Sequence, residues 1–106
     1  MWRGPFRSAP QKPRAVGIDD GPSTANRSVK SPGVSLASLA AVWFSGLRVV
    51  HVRIGTVHVD GLDVTDVILR FMRETRADII FLSGASFAGF NVVDSRRIYN
   101  TLHVPI

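Results

Sequence analysis

The stretch that most constrains this chain runs from Ile79 to Asp94 and reads IIFLSGASFAGFNVVD. Ile79 to Leu82 is a short unbroken apolar run, the pattern of a strand buried on both faces inside an α/β sheet. It stops at Ser83-Gly84, where glycine takes backbone angles that other residues resist. Gly89, Asn91 and Asp94 follow, leading into a helical pattern. Ligands of open α/β sheets gather beyond the carboxyl ends of strands. The turn after Leu82 is therefore the expected wall of any site.

The remaining elements can be read around that strand. Residues 1–13 carry three prolines among basic and small residues and have no helical or strand period, which predicts a flexible basic tail. Arg14–Ile18 reads as a short strand ended by the turn-forming Asp19-Asp20-Gly21-Pro22. Ser23–Gly33 reads as a loop. Two apolar segments, Val34–Phe44 and Leu47–Val59, meet at Ser45-Gly46 and predict a β-hairpin. In the second, Val50, Val52 and Ile54 alternate with His51, Arg53 and Gly55, giving one apolar and one polar face. The first segment also admits a helix; its strand-like partner favours strand.

Asp63 is the expected N-cap of a helix in which Val64, Val67, Ile68, Phe71 and Met72 form one apolar stripe. Arg70, Arg73, Glu74 and Arg76 take the other face. A strand at Asp78–Leu82 follows, then a helix from Asp94 to Leu102 with Ile98 and Leu102 inward. His103–Ile106 begins a further strand. The resulting order, β-β-β-α-β-α-β, predicts an α/β fold with a mixed sheet of ribonuclease H-like arrangement. The expectation is a single domain over residues 14–106, truncated at its C-terminus.

Composition narrows the chemistry. There is no cysteine, which excludes disulfide scaffolds, thiolate metal sites and cysteine nucleophiles. Eleven arginines and two lysines stand against eight acids, a net charge of +5 that suits polyanions such as nucleic acid. Six basic residues and two acids in the first thirty positions account for +4 of it. No apolar run approaches the ~20 residues that cross a bilayer, and no h-region follows the N-terminus. A soluble cytoplasmic protein is the expectation, with no membrane partner.

Acids stand at the ends of the expected core elements: Asp19 and Asp20 after the first strand, Asp60 and Asp63 before the first helix, Asp94 before the second. Converging carboxylates are what a hard ion such as Mg²⁺ takes as ligands. Turn formation by Asp-Gly and helix capping by Asp63 and Asp94 explain the same residues without a metal. His51, His58 and His103 share no ligand spacing. The serine elbow motif is absent, and Gly84-x₄-Gly89 is followed by Phe90-Asn91 where a phosphate loop needs Lys and Ser or Thr. Phe87 and Phe90 suit either base stacking or a core.

Four stretches together resemble a known family: Val16-Gly-Ile-Asp-Asp-Gly-Pro22, Val59-Asp-Gly-Leu-Asp-Val-Thr65, Phe87-Ala-Gly-Phe-Asn-Val-Val-Asp94 and Val104-Pro105. The sequence from Arg14 to Ile106 resembles the archaeal family known as domain of unknown function ninety-nine, whose members have been called endonuclease dU. That family is similar to endonuclease V, a ribonuclease H-like nuclease that uses Mg²⁺ to cut near deaminated bases. The resemblance implies phosphodiester hydrolysis near deoxyuridine or a similar lesion, in DNA repair, with Mg²⁺ (or Mn²⁺) as cofactor and DNA as partner. It implies Asp19 as the central metal ligand, with Asp20, Asp60 and Asp63 as candidates for a second catalytic acid. Asp60 and Asp63 are also candidate metal ligands. Ser83, Gly84, Phe87, Gly89, Phe90 and Asn91 would form the wall that receives the damaged base. Endonuclease V carries Asp-Gly where this chain has Ser83-Gly84; serine supplies no charge there. The alternative is a non-catalytic nucleic-acid-binding module on the same scaffold, using Arg70, Arg73, Arg76, Arg96 and Arg97. A third possibility, a structural protein that pairs through its sheet edge, stays open.

Overall fold

The computed structural model describes residues 13–23 and 35–106. The expected basic tail and most of the Ser23–Gly33 loop lie outside the described residues. The elements in order are β1 (Arg14–Ser23), β2 (Leu36–Ser45), β3 (Arg48–His58), α1 (Val64–Met72), β4 (Ile79–Leu82), β5 (Ser86–Phe87), β6 (Asn91–Val92) and α2 (Ser95–Leu102). Four strands form one sheet in the order β3-β2-β1-β4. The pairs β2–β3 and β1–β2 are antiparallel, whereas β4 runs parallel to β1. The sheet is therefore mixed, as expected from a hairpin followed by an α/β crossover. β5 and β6 form a separate two-stranded ribbon.

The first helix obeys its pattern. Val64, Val67, Ile68, Phe71 and Met72 are all buried, each such side chain contributing roughly 2 kcal/mol of transfer free energy. They meet Val16 and Ile18 of β1, Leu39, Ala41 and Trp43 of β2, Val57 of β3 and Ile80 of β4 in one core, which Ile98 of α2 joins. Close approach of α1 to β3 depends on Gly55, where a Cβ would stand 2.8 Å from Phe71 Cζ. The β2–β3 turn has Gly46 at φ +60, an angle that suits glycine in a two-residue hairpin loop.

Five expectations change. Ile79–Leu82 is not a strand buried on both faces: β4 lies at one end of the described sheet, and Phe81 is 58% exposed. The segment Asp19–Pro22 is not a turn: β1 continues to Ser23, with Asp19 and Asp20 opposite Ala40 and Leu39 of β2 and an irregularity between Asp20 and Ser23. Pairing with a long neighbour overrides the local turn preference. The two faces of β3 are also reversed. His51, Arg53 and Gly55 face the helix layer, where Glu74 accepts from Arg53 Nε at 2.6 Å and His51 Nε2 stands 3.4 Å from the same carboxylate. Val50, Val52 and Ile54 are exposed instead. The segment between β4 and α2 is not only a glycine turn, because it contains the β5–β6 ribbon. Finally, His103–Ile106 forms no strand, although Pro105 O accepts from Ile80 N at 2.9 Å and lays this stretch along β4.

Candidate functional site

The site grows from the carboxyl ends of the two parallel strands. Ser83 N donates to Ile18 O at 3.1 Å, continuing the β1–β4 register by one residue and bringing the Ser83 hydroxyl beside Asp19. That hydroxyl, the Asp20 amide at 2.8 Å and the neighbouring Asp20 side chain hold the Asp19 carboxyl below its ordinary range. Asp19 is exposed and so is charged at neutral pH. Three of the expected residues, Asp19, Asp20 and Ser83, are thus brought together.

Asp60 goes elsewhere. With Asp20 it holds the tip of the β5–β6 ribbon. Ala88 N donates to Asp20 Oδ2 at 2.8 Å, and Phe90 N donates to Asp60 Oδ1 at 2.8 Å. Asp60 N returns a bond to Ala88 O, also at 2.8 Å. Asp60 and Ala88 both have positive φ, and Gly89 stands between the two held amides at φ +79. A side chain on Gly89 would collide with Asp60 Oδ1. Positive φ and close approach together require glycine here.

Asp63 and Asn91 form a second, more buried knot. Asn91 is fully buried. Its Nδ2 donates to Asp63 Oδ1 at 2.7 Å and to His58 O at 2.8 Å, and its Oδ1 accepts from Val64 N at 3.1 Å. His58 Nδ1 lies 2.8 Å from Asp63 Oδ2. Burial pushes the Asp63 carboxyl up, but the bonds from His58 and Asn91 outweigh it and hold it below its usual range. Asp63 is the N-cap residue as expected, yet its side chain makes no capping bond; Asn91 supplies that bond from 27 residues away. Asp94 does cap α2, accepting from Arg97 N at 3.0 Å.

The expected base-facing wall divides into three environments. Phe87 is buried in the core with Asn91, whereas Phe90 is 79% exposed at the ribbon tip. Gly84 lines a cleft of 770 Å³ between β4 and α2, together with Phe81, Leu82, Val93, Arg96 and Tyr99. His58 and Thr65 were not singled out from the sequence as parts of the site. Thr65 is buried and its Oγ1 accepts from Asp94 N at 2.9 Å, tying α2 to α1. No spacing rule would have found either, because each partner lies across a turn or in another element.

The donors beside Asp19 are hard oxygens: the Asp20 carboxylate and the Ser83 hydroxyl. Mg²⁺ is commonly held by one or two carboxylates while it keeps several waters, so this pair suits its chemistry. Among the described residues no group of three or more His, Asp or Glu side chains is placed to hold a metal ion. Asp20 keeps one oxygen on Ala88 N as Asp60 keeps one on Phe90 N, whereas both oxygens of Asp63 are engaged, by Asn91 and by His58.

The sequence matches the family model described as Endonuclease dU over residues 11–106. It is 34% identical over 96 residues to a UPF0215 protein of Thermococcus kodakarensis, covering 88% of this chain and 48% of that protein. It is 29% identical to a UPF0215 protein of Pyrococcus horikoshii, covering 95% of this chain and 52% of that one. A crystal structure described as a protein of unknown function from Archaeoglobus fulgidus superposes with a TM-score of 0.71 at 27% identity, over 88% of this chain and 50% of that one. The chain spans about half the length of the curated relatives it matches. With its match running through the β1 end, the α1 entry and the β5–β6 ribbon, the chain belongs to the Endonuclease dU family.

Proposed function

We propose that this chain carries the acidic centre of an endonuclease that hydrolyses a phosphodiester bond near deaminated bases in DNA. The observation that carries the reading is the Asp19–Asp20 pair at the end of β1, braced by Ser83 and set beside the ribbon that Asp20 and Asp60 hold in place. The family description supports a nuclease. The sheet order β3-β2-β1-β4 with a single parallel pair supports a ribonuclease H-like scaffold.

In this reading Asp19 and Asp20 would hold Mg²⁺ (or Mn²⁺). When bound, such an ion lowers the pKa of a water and stabilises charge on the phosphate. The Ser83 hydroxyl, bonded to the Asp19 carboxylate, fixes its orientation. The ribbon tip presents Phe90 as a stacking surface for an unpaired base, a contact worth about 1–3 kcal/mol per base. Asp60, through Phe90 N, keeps that tip from folding away.

The test is cleavage of duplexes containing a single deoxyuridine or deoxyinosine, with Mg²⁺ and with chelator. The expected result is a metal-dependent cut near the lesion that falls at least a hundredfold in Asp19→Ala, with circular dichroism unchanged. Equal cleavage by Asp19→Ala, or none by either protein, overturns the reading.

A second reading, binding without cleavage, is favoured by the exposed arginines Arg70, Arg73 and Arg96 on the helix layer. It predicts affinity for DNA that drops steeply with salt and is indifferent to metal. Salt-insensitive binding excludes it.

A further inference from the structure

The last residue of β3 is held by a cluster that the acidic pair does not use. His58 Nδ1 lies 2.8 Å from Asp63 Oδ2, and His58 N donates to Asp63 Oδ1 at 3.2 Å. The same Oδ1 accepts from Nδ2 of the fully buried Asn91 at 2.7 Å. Three donors thus converge on one carboxylate. An ionised carboxylate only accepts, so a neutral imidazole beside it carries its hydrogen on Nδ1 and keeps a lone pair on Nε2. The dyad therefore fixes the tautomer of His58 and leaves Nε2 as an oriented acceptor. The His58 side chain is 58% exposed, so a ligand can reach the ring.

This dyad stands beside the ribbon tip. Asp60, two residues after His58, accepts from Phe90 N at 2.8 Å. His58 O accepts from Asn91 Nδ2 at 2.8 Å and from Gly61 N at 3.1 Å. The segment from His58 to Asp60 is thus bonded twice to Phe90 and Asn91, which makes His58 and the exposed Phe90 neighbours across the two segments. A Cβ on Gly61 would stand 2.6 Å from His58 Cβ, so glycine lets the chain turn back closely against the histidine. An aromatic face and a fixed acceptor together read a single unpaired base. Stacking tolerates any base, whereas hydrogen bonds to the pairing edge tell bases apart.

Deamination changes that edge in one consistent way. Cytosine and adenine present a ring nitrogen with a lone pair, whereas their products uracil and hypoxanthine carry a hydrogen on the same atom. A fixed acceptor bonds the product and meets the parent lone pair against lone pair. We propose that His58, positioned by Asp63 and Asn91, separates a deaminated base from its parent, with Nε2 accepting from the ring N–H of a base stacked on Phe90. Thymine and guanine carry the same hydrogen, so the choice among N–H bases falls to other contacts. The inference rests on the deaminated-base reading above and deepens it: Asp19 and Asp20 serve the cut, and His58 serves recognition.

The test is binding, read apart from cleavage. Single-stranded DNA carrying one uracil or one cytosine in the same context is titrated with chelator present, at about pH 8, where histidine is ordinarily neutral. Fluorescence anisotropy reads both affinities. The protein should prefer the uracil strand about tenfold, the worth of one edge hydrogen bond. His58→Phe keeps an aromatic ring without an acceptor and should bind the two strands alike. His58→Gln, whose side-chain oxygen accepts, should keep roughly a third of the preference. A strand whose uracil carries a methyl group on the ring nitrogen should bind no better than the cytosine strand. Undiminished preference in His58→Phe overturns the proposal and leaves the deaminated-base reading standing. Equal affinity of the unaltered protein for methylated and plain uracil overturns it too, and needs no variant to fold. Absence of any preference, with metal-dependent cleavage near the lesion intact, removes the role of His58 alone; absence of both removes the two readings together.

Discussion

Asn91 caps a helix that begins 27 residues before it. Its Oδ1 accepts from Val64 N at 3.1 Å while its Nδ2 donates to Asp63 Oδ1 at 2.7 Å and to His58 O at 2.8 Å. The side chain uses its carbonyl and its amide group in a position with no solvent access. Asn91→Ala leaves a helix amide, a carbonyl and one carboxylate bond without this partner. The expected loss is about 3 kcal/mol, read as a lowered midpoint in urea. A loss below about 1 kcal/mol would mean that water replaces the amide at no cost and that the knot is not closed.

Asp63 gives this knot a pH dependence with a defined sign. Its folded pKa lies below the ordinary value of 3.8. Its contribution to stability is therefore fully present above pH 3.8 and is lost as pH falls through the folded value. Asp63→Asn removes the titrating group, so the stability gap between wild type and variant should be widest at neutral pH and narrow on acidification. Thermal midpoints across pH 2 to 7, at about 0.1 M salt, check this. A gap that grows as pH falls would reverse the assignment.

Ser83 bears on the ionisation of Asp19. The Ser83 hydroxyl is the largest influence lowering the Asp19 pKa. Ser83→Ala should move that pKa upward toward 3.8, with the fold intact because Ser83 is exposed and its amide bond to Ile18 O is unaffected. Carboxyl-carbon NMR titration of the two proteins reads the shift directly. No upward movement would place the Ser83 hydroxyl away from Asp19 in solution and remove the brace from the proposed centre.

What could be read from the sequence follows how far each physical cause reaches along the chain. The stripe Val64, Val67, Ile68, Phe71 and Met72 fixed the buried side of α1 because helical period and burial are both local. The alternation in β3 identified a strand but not which face is covered. Gly55 and the partners Phe71 and Glu74 decide that, and they belong to another element. Asp19-Asp20-Gly21-Pro22 has the composition of a turn, and only the pairing with β2 carries the strand through it. The acids show the same limit. Proximity of Asp19 to Ser83 follows from parallel pairing of two strands more than sixty residues apart. Asp60 as the holder of Phe90 N depends on a ribbon whose two strands are each two residues long.

Trp43 supplies the last test, because its packing and its hydrogen bonding oppose one another. The side chain is fully buried in the core, and its Nε1 has no hydrogen-bond partner among the described residues. Its ring meets His51 edge-on at 4.8 Å between centroids. A buried N–H without a partner costs roughly 1–3 kcal/mol, whereas truncating a large buried aromatic to alanine ordinarily costs about 3–5 kcal/mol. Trp43→Phe keeps most of the ring volume and deletes the unpaired donor, so the two effects nearly cancel. The expected change in unfolding free energy is within about 1 kcal/mol of zero, and Trp43→Ala should lose several times more. Urea denaturation followed by far-ultraviolet circular dichroism measures both. A loss near 3 kcal/mol for Trp43→Phe would show that the indole N–H is satisfied in solution, by a water or by a movement of His51.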